Sequence, residues 1–126
     1  MDQRTSAGGL RVAVLYGGDS AEREISLQSG QCVATALRSA GHAIRLWDPA
    51  RQGWDRFPHR SIDVCFVALH GGAGEDGRVQ ARLESLGVAY TGSGPEASRL
   101  AMSKSASKER FVQAGVPTLP YVLAHL

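Results

Sequence analysis

Two residues in this sequence have the type and the setting to act on one small ligand, Glu22 and His70. Glu22 follows an apolar run and a Gly17-Gly18 turn. His70 ends a second apolar run and precedes the glycine-rich stretch 71–77. An acid and an imidazole on neighbouring loops suit a zwitterionic amino acid. The carboxylate meets its ammonium group and the imidazole donates to its carboxylate, both as charge-assisted hydrogen bonds of the stronger kind. Each residue also has a plainer role. An acid at a helix amino end complements the dipole there, and a lone histidine is most often structural. Position favours function for His70, because ligands of α/β sheets lie outside the carboxyl ends of the strands. Glu75 and Asp76 offer carboxylates to a metal, but no third ligand stands near them. Asp76 is better read as a helix cap, and Glu75 has no assigned role.

The surrounding sequence supplies the elements that would position these groups. Apolar runs at 11–16, 43–47, 62–69 and 88–91 predict strands. Between them, helical spacing predicts a helix from a cap at Asp19 or Ser20 to about residue 40. Ile25, Cys32, Val33, Ala36, Leu37 and Ala40 form its core face, and Gly41 ends it. Gly30 inside that helix costs stability unless the helix packs closely on the sheet. A second helix carries Val79, Leu83 and Leu86 inward and stops at Gly87. A third spans 96–102 behind Pro95, and a fourth, capped by Ser103, covers 104–114. Trp54 and Phe57 are expected to pin the irregular stretch 50–61, and a further strand is expected at 121–124. Alternating strands and helices with short turns predict a Rossmann-like α/β domain, a parallel sheet with helices on both faces. That places the loops 17–22, 70–76 and 91–95 on one edge.

Composition narrows the function class. The chain has 126 residues, 43% hydrophobic and 21% charged, with a net charge of +2, which gives no argument for nucleic acid. The two cysteines, Cys32 and Cys65, lack metal-ligand spacing and are both expected to be buried. Residues 1–9 are polar and read as a flexible leader rather than a signal peptide, no run is long enough to span a membrane, and a cytoplasmic location is expected. The loop after the first strand is not G-x-G-x-x-G, nor is there a G-x-x-x-x-G-K-[ST] loop, so nicotinamide and Walker-type nucleotide binding are not indicated. Asp48 is the one acid placed to meet a ribose after the second strand.

GGDSAEREISL at 17–27 and ALHGGAGEDGRVQ at 68–80 resemble the amino-terminal signature of the D-alanine–D-alanine ligases, members of the ATP-grasp group. YTGSG at 90–94, ASRLAMSK at 97–104 and GVPTLPY at 115–121 continue the pattern in order. The resemblance implies that ATP phosphorylates the carboxylate of one D-alanine. The amine of a second D-alanine then attacks the acyl phosphate, and phosphate leaves, giving D-alanyl-D-alanine for peptidoglycan. It implies that Glu22 holds the first D-alanine's ammonium group, that His70 lies beside the same amino acid, that Ile25 forms an apolar wall, and that Lys104 reaches the ATP phosphates.

The resemblance divides the chain into the leader, a substrate-binding domain at 10–116, and a connector at 117–126 that starts an ATP-grasp domain. It implies ATP and Mg²⁺ as cofactors, D-alanine as substrate, and a homodimer. The Mg²⁺ ligands and the complete catalytic set are expected in family segments that these residues do not match, so the chain alone is expected to be inactive. There are two departures from the pattern. Ser103 replaces an aspartate and keeps the capping capacity. Ala81 replaces a glycine, where its methyl is expected to press on a close-packed turn. A noncatalytic amino-acid-binding or assembly module built on the same domain is the alternative.

Overall fold

The computed structural model describes residues 8–124. Residues 1–7 of the expected leader, and 125 and 126 of the expected connector, lie outside the described residues.

Four parallel strands, β1 (Arg11–Leu15), β2 (Ala43–Trp47), β3 (Val64–Val67) and β4 (Ala89–Tyr90), form one sheet in the order β2-β1-β3-β4. The register runs from Arg11 against Ala43 to Leu15 against Trp47, with Val12 opposite Val64 on the other side. Alternation along β1 sends Ala13 and Leu15 to one face and Val12 and Val14 to the other. The first pair joins a core with Trp47, Phe57, Cys65, Leu69, Val79, Leu83 and Val88. The second joins Ala34 and Ala68. Both sheet faces are therefore covered, as the Rossmann-like reading requires.

Helix α1 (Arg23–Ser39) covers the Val12–Val14 face, but with only Val33 and Leu37 of the residues its spacing suggested. Ser26, Gly30 and Ala34 are buried, at i, i+4 and i+8, while Ile25, Cys32, Ala36 and Ala40 are exposed. The reason is close approach. A Cβ on Gly30 would collide with the Tyr16 ring and its Cβ. The helix therefore lies on the sheet along its small residues, with Val33 and Leu37 packed beside them and Ile25 turned outward. Cys32 is exposed, against expectation. Cys65 is buried, and burial pushes its thiol up to about 12.

On the opposite face, helix α2 (Pro49–Gln52) and a 3-10 turn at His59–Ser61 replace the expected irregular stretch. Phe57 is buried there, edge-on to Trp47 at 5.5 Å and to Trp54 at 5.4 Å. Helix α3 (Arg78–Ser85) buries Val79 and Leu83. Ala81 is exposed on it. Helices α4 (Pro95–Met102) and α5 (Lys104–Gln113) follow, α5 capped by Ser103, whose Oγ accepts from the Ala106 N–H at 3.3 Å. No strand forms at 121–124. A strand needs a neighbouring edge to pair with, and Lys108 instead holds this segment against α5, its Nζ donating to Thr118 Oγ1 at 3.2 Å and to the Leu119 carbonyl at 2.9 Å.

Candidate functional site

The sheet connects β1 outward to β2 and then returns across β1 to β3. The order therefore reverses between β1 and β3, the place where such sheets take ligands. The turns after these two strands meet there around a cavity of about 260 Å³, which Pro49, Ala50 and Trp54 also line; Glu22 is not in its lining. Gly18, Asp19, Ser20, Leu69, His70 and Gly71 are among its lining.

Four hydrogen bonds fix these turns. The Gly17 N–H donates to Ser26 Oγ at 2.9 Å, and the same hydroxyl donates to the Ala68 carbonyl at 2.7 Å. One fully buried serine thus ties the end of β1 to the end of β3. Ser20 Oγ donates to the His70 carbonyl at 2.5 Å and accepts the Glu22 N–H at 3.1 Å. That hydroxyl joins the two turns that carry the candidate ligands. Helix α1 begins one turn later than expected. Its N-cap is Glu22 rather than Asp19 or Ser20, and no side chain caps it. Residues 20–23 form a turn closed by the Arg23 N–H on the Ser20 carbonyl at 3.1 Å.

Glu22 and His70 are brought to one corner. The Glu22 carboxylate lies over Gly71, where an added Cβ would sit 2.9 Å from Oε2 and 3.0 Å from Ser20 Oγ. Gly71 has φ +68°, so glycine is required there for conformation as well as for space. His70 is half-buried. Its Nε2 is 3.1 Å from Ser29 Oγ, and that hydroxyl donates to the Ile25 carbonyl at 2.9 Å. With the serine proton so engaged, Nε2 is the donor of the pair. Ile25 is one helical turn before Ser29 on the same face. At 58% exposed it presents an apolar surface at the border of this corner.

Lys104 is not part of the corner. It is exposed at the first residue of α5, which packs on α4, and no described residue pairs with it. Its free ammonium group fits contact with an anion such as a phosphate. The donor set for Mg²⁺ does not fit: among the described residues no group of three or more His, Cys, Asp or Glu could hold a metal ion. Glu75 is exposed and ends the 3-10 turn Gly72–Gly74. Asp76 caps α3 from one residue further out than expected. The N-cap is Gly77, while Asp76 Oδ1 accepts the Arg78 N–H at 3.1 Å.

Other contacts matter here that sequence reasoning did not foresee. Asp48 is not free to meet a ribose. It is 5% exposed, its Oδ1 accepts the Gly18 N–H at 3.2 Å and the Ala50 N–H at 3.1 Å, and its Oδ2 pairs with Arg23 Nη2 at 2.6 Å. Burial pushes this carboxyl up. The Arg23 hydrogen bond and the two N–H groups more than offset that, and it stays below the usual range. Sequence position makes Asp48 only a candidate for a ribose, and nothing in the sequence points to its partner Arg23, 25 positions earlier. Ser29 and Gln80 left no signal either. Gln80 is buried and its Nε2 donates to the Gly74 carbonyl at 2.9 Å, which steadies the 71–77 turn from beneath.

Residues 47–93 match the family model described as "D-ala D-ala ligase N-terminus". The chain is 50% identical over 121 residues to the D-alanine–D-alanine ligase of Polaromonas sp. strain JS666, covering 94% of this chain and 36% of that protein. It is 49% identical over 113 residues to the ligase of the same name from Anaeromyxobacter sp. strain Fw109-5, covering 90% and 37%. A solved D-alanine–D-alanine ligase from Bacillus anthracis, complexed with ATP, superposes with a TM-score of 0.77 at 34% identity, over 85% of this chain and 37% of that one. The chain spans little more than a third of the length of the relatives it matches.

Proposed function

This chain belongs to the D-alanine–D-alanine ligase family as its amino-terminal domain, and from that premise we propose that residues 10–116 supply part of the site for the first D-alanine in the ATP-dependent formation of D-alanyl-D-alanine. The observation that carries the reading is the meeting of Glu22 and His70 across Gly71 at the switch point of the sheet. Glu22 takes the ammonium group. His70, oriented by Ser29, lies beside the same amino acid, and Ile25 borders its methyl. Fixing the amino acid at its charged ends leaves its carboxylate in a set position to be phosphorylated and then attacked by a second amine. Holding a reactant in place is most of what a protein does for such a transfer.

Lys104 is assigned to the ATP phosphates, which fits its exposure and its lack of a partner. Bound ATP would supply the phosphoryl group and Mg²⁺ its charge neutralisation. No residue set described here fits Mg²⁺, so no step is assigned to it in this domain. Residues 117–126 are read as the connector to an ATP-grasp domain, and the isolated chain as inactive. The same reading carries a cytoplasmic homodimer in peptidoglycan synthesis. Among the described residues no helix is long and apolar enough to cross a membrane.

The test is to join this domain to the remaining two thirds of a family member and follow ADP release. Release that depends on D-alanine is expected. Release with another amino acid or a hydroxy acid, and none with D-alanine, would move the assignment elsewhere in the group.

A further inference from the structure

We infer that Asp48 is a positioning residue for Glu22, acting through Arg23 and the Gly18 peptide; the inference rests on the reading of Glu22 as the carboxylate that meets the ammonium group. Glu22 has no side-chain hydrogen bond that fixes its carboxylate among the described residues, so its place is set by the main chain on either side of it. That main chain is held in a closed ring. Asp48 Oδ1 takes the Gly18 N–H at 3.2 Å, Asp48 Oδ2 takes Arg23 Nη2 at 2.6 Å, and Arg23 Nη1 donates to the Gly18 carbonyl at 2.6 Å. Both faces of the Gly18 peptide are therefore set by one ion pair, and Arg23 is the residue directly after Glu22.

The fit is close on every side. A Cβ on Gly17 would meet Asp48 Oδ2 at 2.7 Å and Arg23 Nη1 at 3.0 Å. Asp48 comes from the end of β2, a strand that gives the corner no other contact with a candidate ligand. It caps α2 with the same oxygen that takes the Gly18 N–H, so the brace is anchored to a fixed element. The guanidinium is required for its fork, with one arm on a carboxylate and the other on a carbonyl, which a lysine cannot reproduce.

A double-mutant cycle in the complete ligase carrying this domain tests it, with E22Q, D48N and E22Q/D48N read by KM for D-alanine, KM for ATP and melting temperature. D48N keeps the size and one acceptor oxygen but turns an amide toward Arg23. It is expected to raise the D-alanine KM about tenfold and leave the ATP KM unchanged, as small misplacements at reacting groups do. The double variant should be no worse than E22Q, because placement no longer matters once the charge is gone. A fall in melting temperature with both KM values unchanged, or effects that multiply in the double variant, would overturn the inference. If E22Q raises the D-alanine KM and D48N does not, the inference fails alone. If E22Q does nothing, the ligand role of Glu22 fails and the inference with it. In the present chain, amide hydrogen exchange should quicken at Gly18 in D48N with β1 and β3 still protected. Loss of protection throughout the sheet would make Asp48 a brace of the whole fold, and would equally overturn the inference.

Discussion

The corner between β1 and β3 and the carboxyl-terminal stretch from α5 onward are built in opposite ways. At the corner, side chains from the first turn, α1, the end of β2 and the second turn close on one another, and almost every polar group that fixes the turns has a partner inside the domain. In α5 no residue is buried, and Phe111, Val112, Val116, Leu119, Tyr121, Val122 and Leu123 are all exposed. The assigned amino-acid ligands are in the first region and the assigned phosphate ligand, Lys104, is in the second. The difference is one of self-sufficiency. The turns that carry Glu22 and His70 are fixed within this fold, whereas nothing among the described residues fixes the place of Lys104.

The contrast can be broken or sharpened by substitution. The largest effect is expected for Leu83→Ala. Leu83 is fully buried beneath the second turn, and its truncation should cost about 2–5 kcal/mol in chemical denaturation. A loss under 1 kcal/mol, roughly the low end of core truncations, would mean that this face is loosely packed. Gly71→Ala comes next. At φ +68° and ψ 171° a residue with a Cβ bears about 1–3 kcal/mol of strain, and its Cβ must displace the Glu22 carboxylate. Stability should fall by that amount, and D-alanine use in the complete enzyme should fall with it. A crystal structure of the variant showing Glu22 unmoved would break the link between the two turns.

A smaller effect belongs to acid. The Arg11 side-chain hydrogen bond holds Asp63 at about 2, below the ordinary 3.8, at the sheet end opposite the corner. A carboxyl lowered on folding stabilises above its unfolded value and loses that stabilisation as pH falls. The decline should therefore lie between about 3.8 and about 2. The difference in stability between the parent and Asp63→Asn should shrink across that window and be flat above it. A difference that persists at the acid end would assign the effect to packing. The smallest effect is expected for Val122→Ala. Val122 is 95% exposed, and melting should move by no more than about 0.5 kcal/mol in equivalent stability.

Much of the framework was legible because it rests on local patterns. Continuous apolar runs gave the strands to within a residue or two, and Ser103, Pro95 and Gly87 marked helix ends where they occur. The rotation of α1 was not legible, because hydrophobic spacing assumes that large residues face the core. Here three small residues do, since the helix is drawn close to Tyr16. Glu22 and His70 stood out by position and type. Asp48, Arg23 and Ser29 did not, because each acts through a contact between segments far apart in sequence, and no local pattern encodes such a contact.

The central claim is that the Glu22 carboxylate meets the ammonium group of the first D-alanine. Steady-state kinetics of Glu22→Gln in the complete ligase test it most directly. The account predicts a rise of roughly tenfold or more in the D-alanine KM, the scale of a lost charged hydrogen bond, with the ATP KM and the melting temperature unchanged. An unchanged D-alanine KM would contradict it.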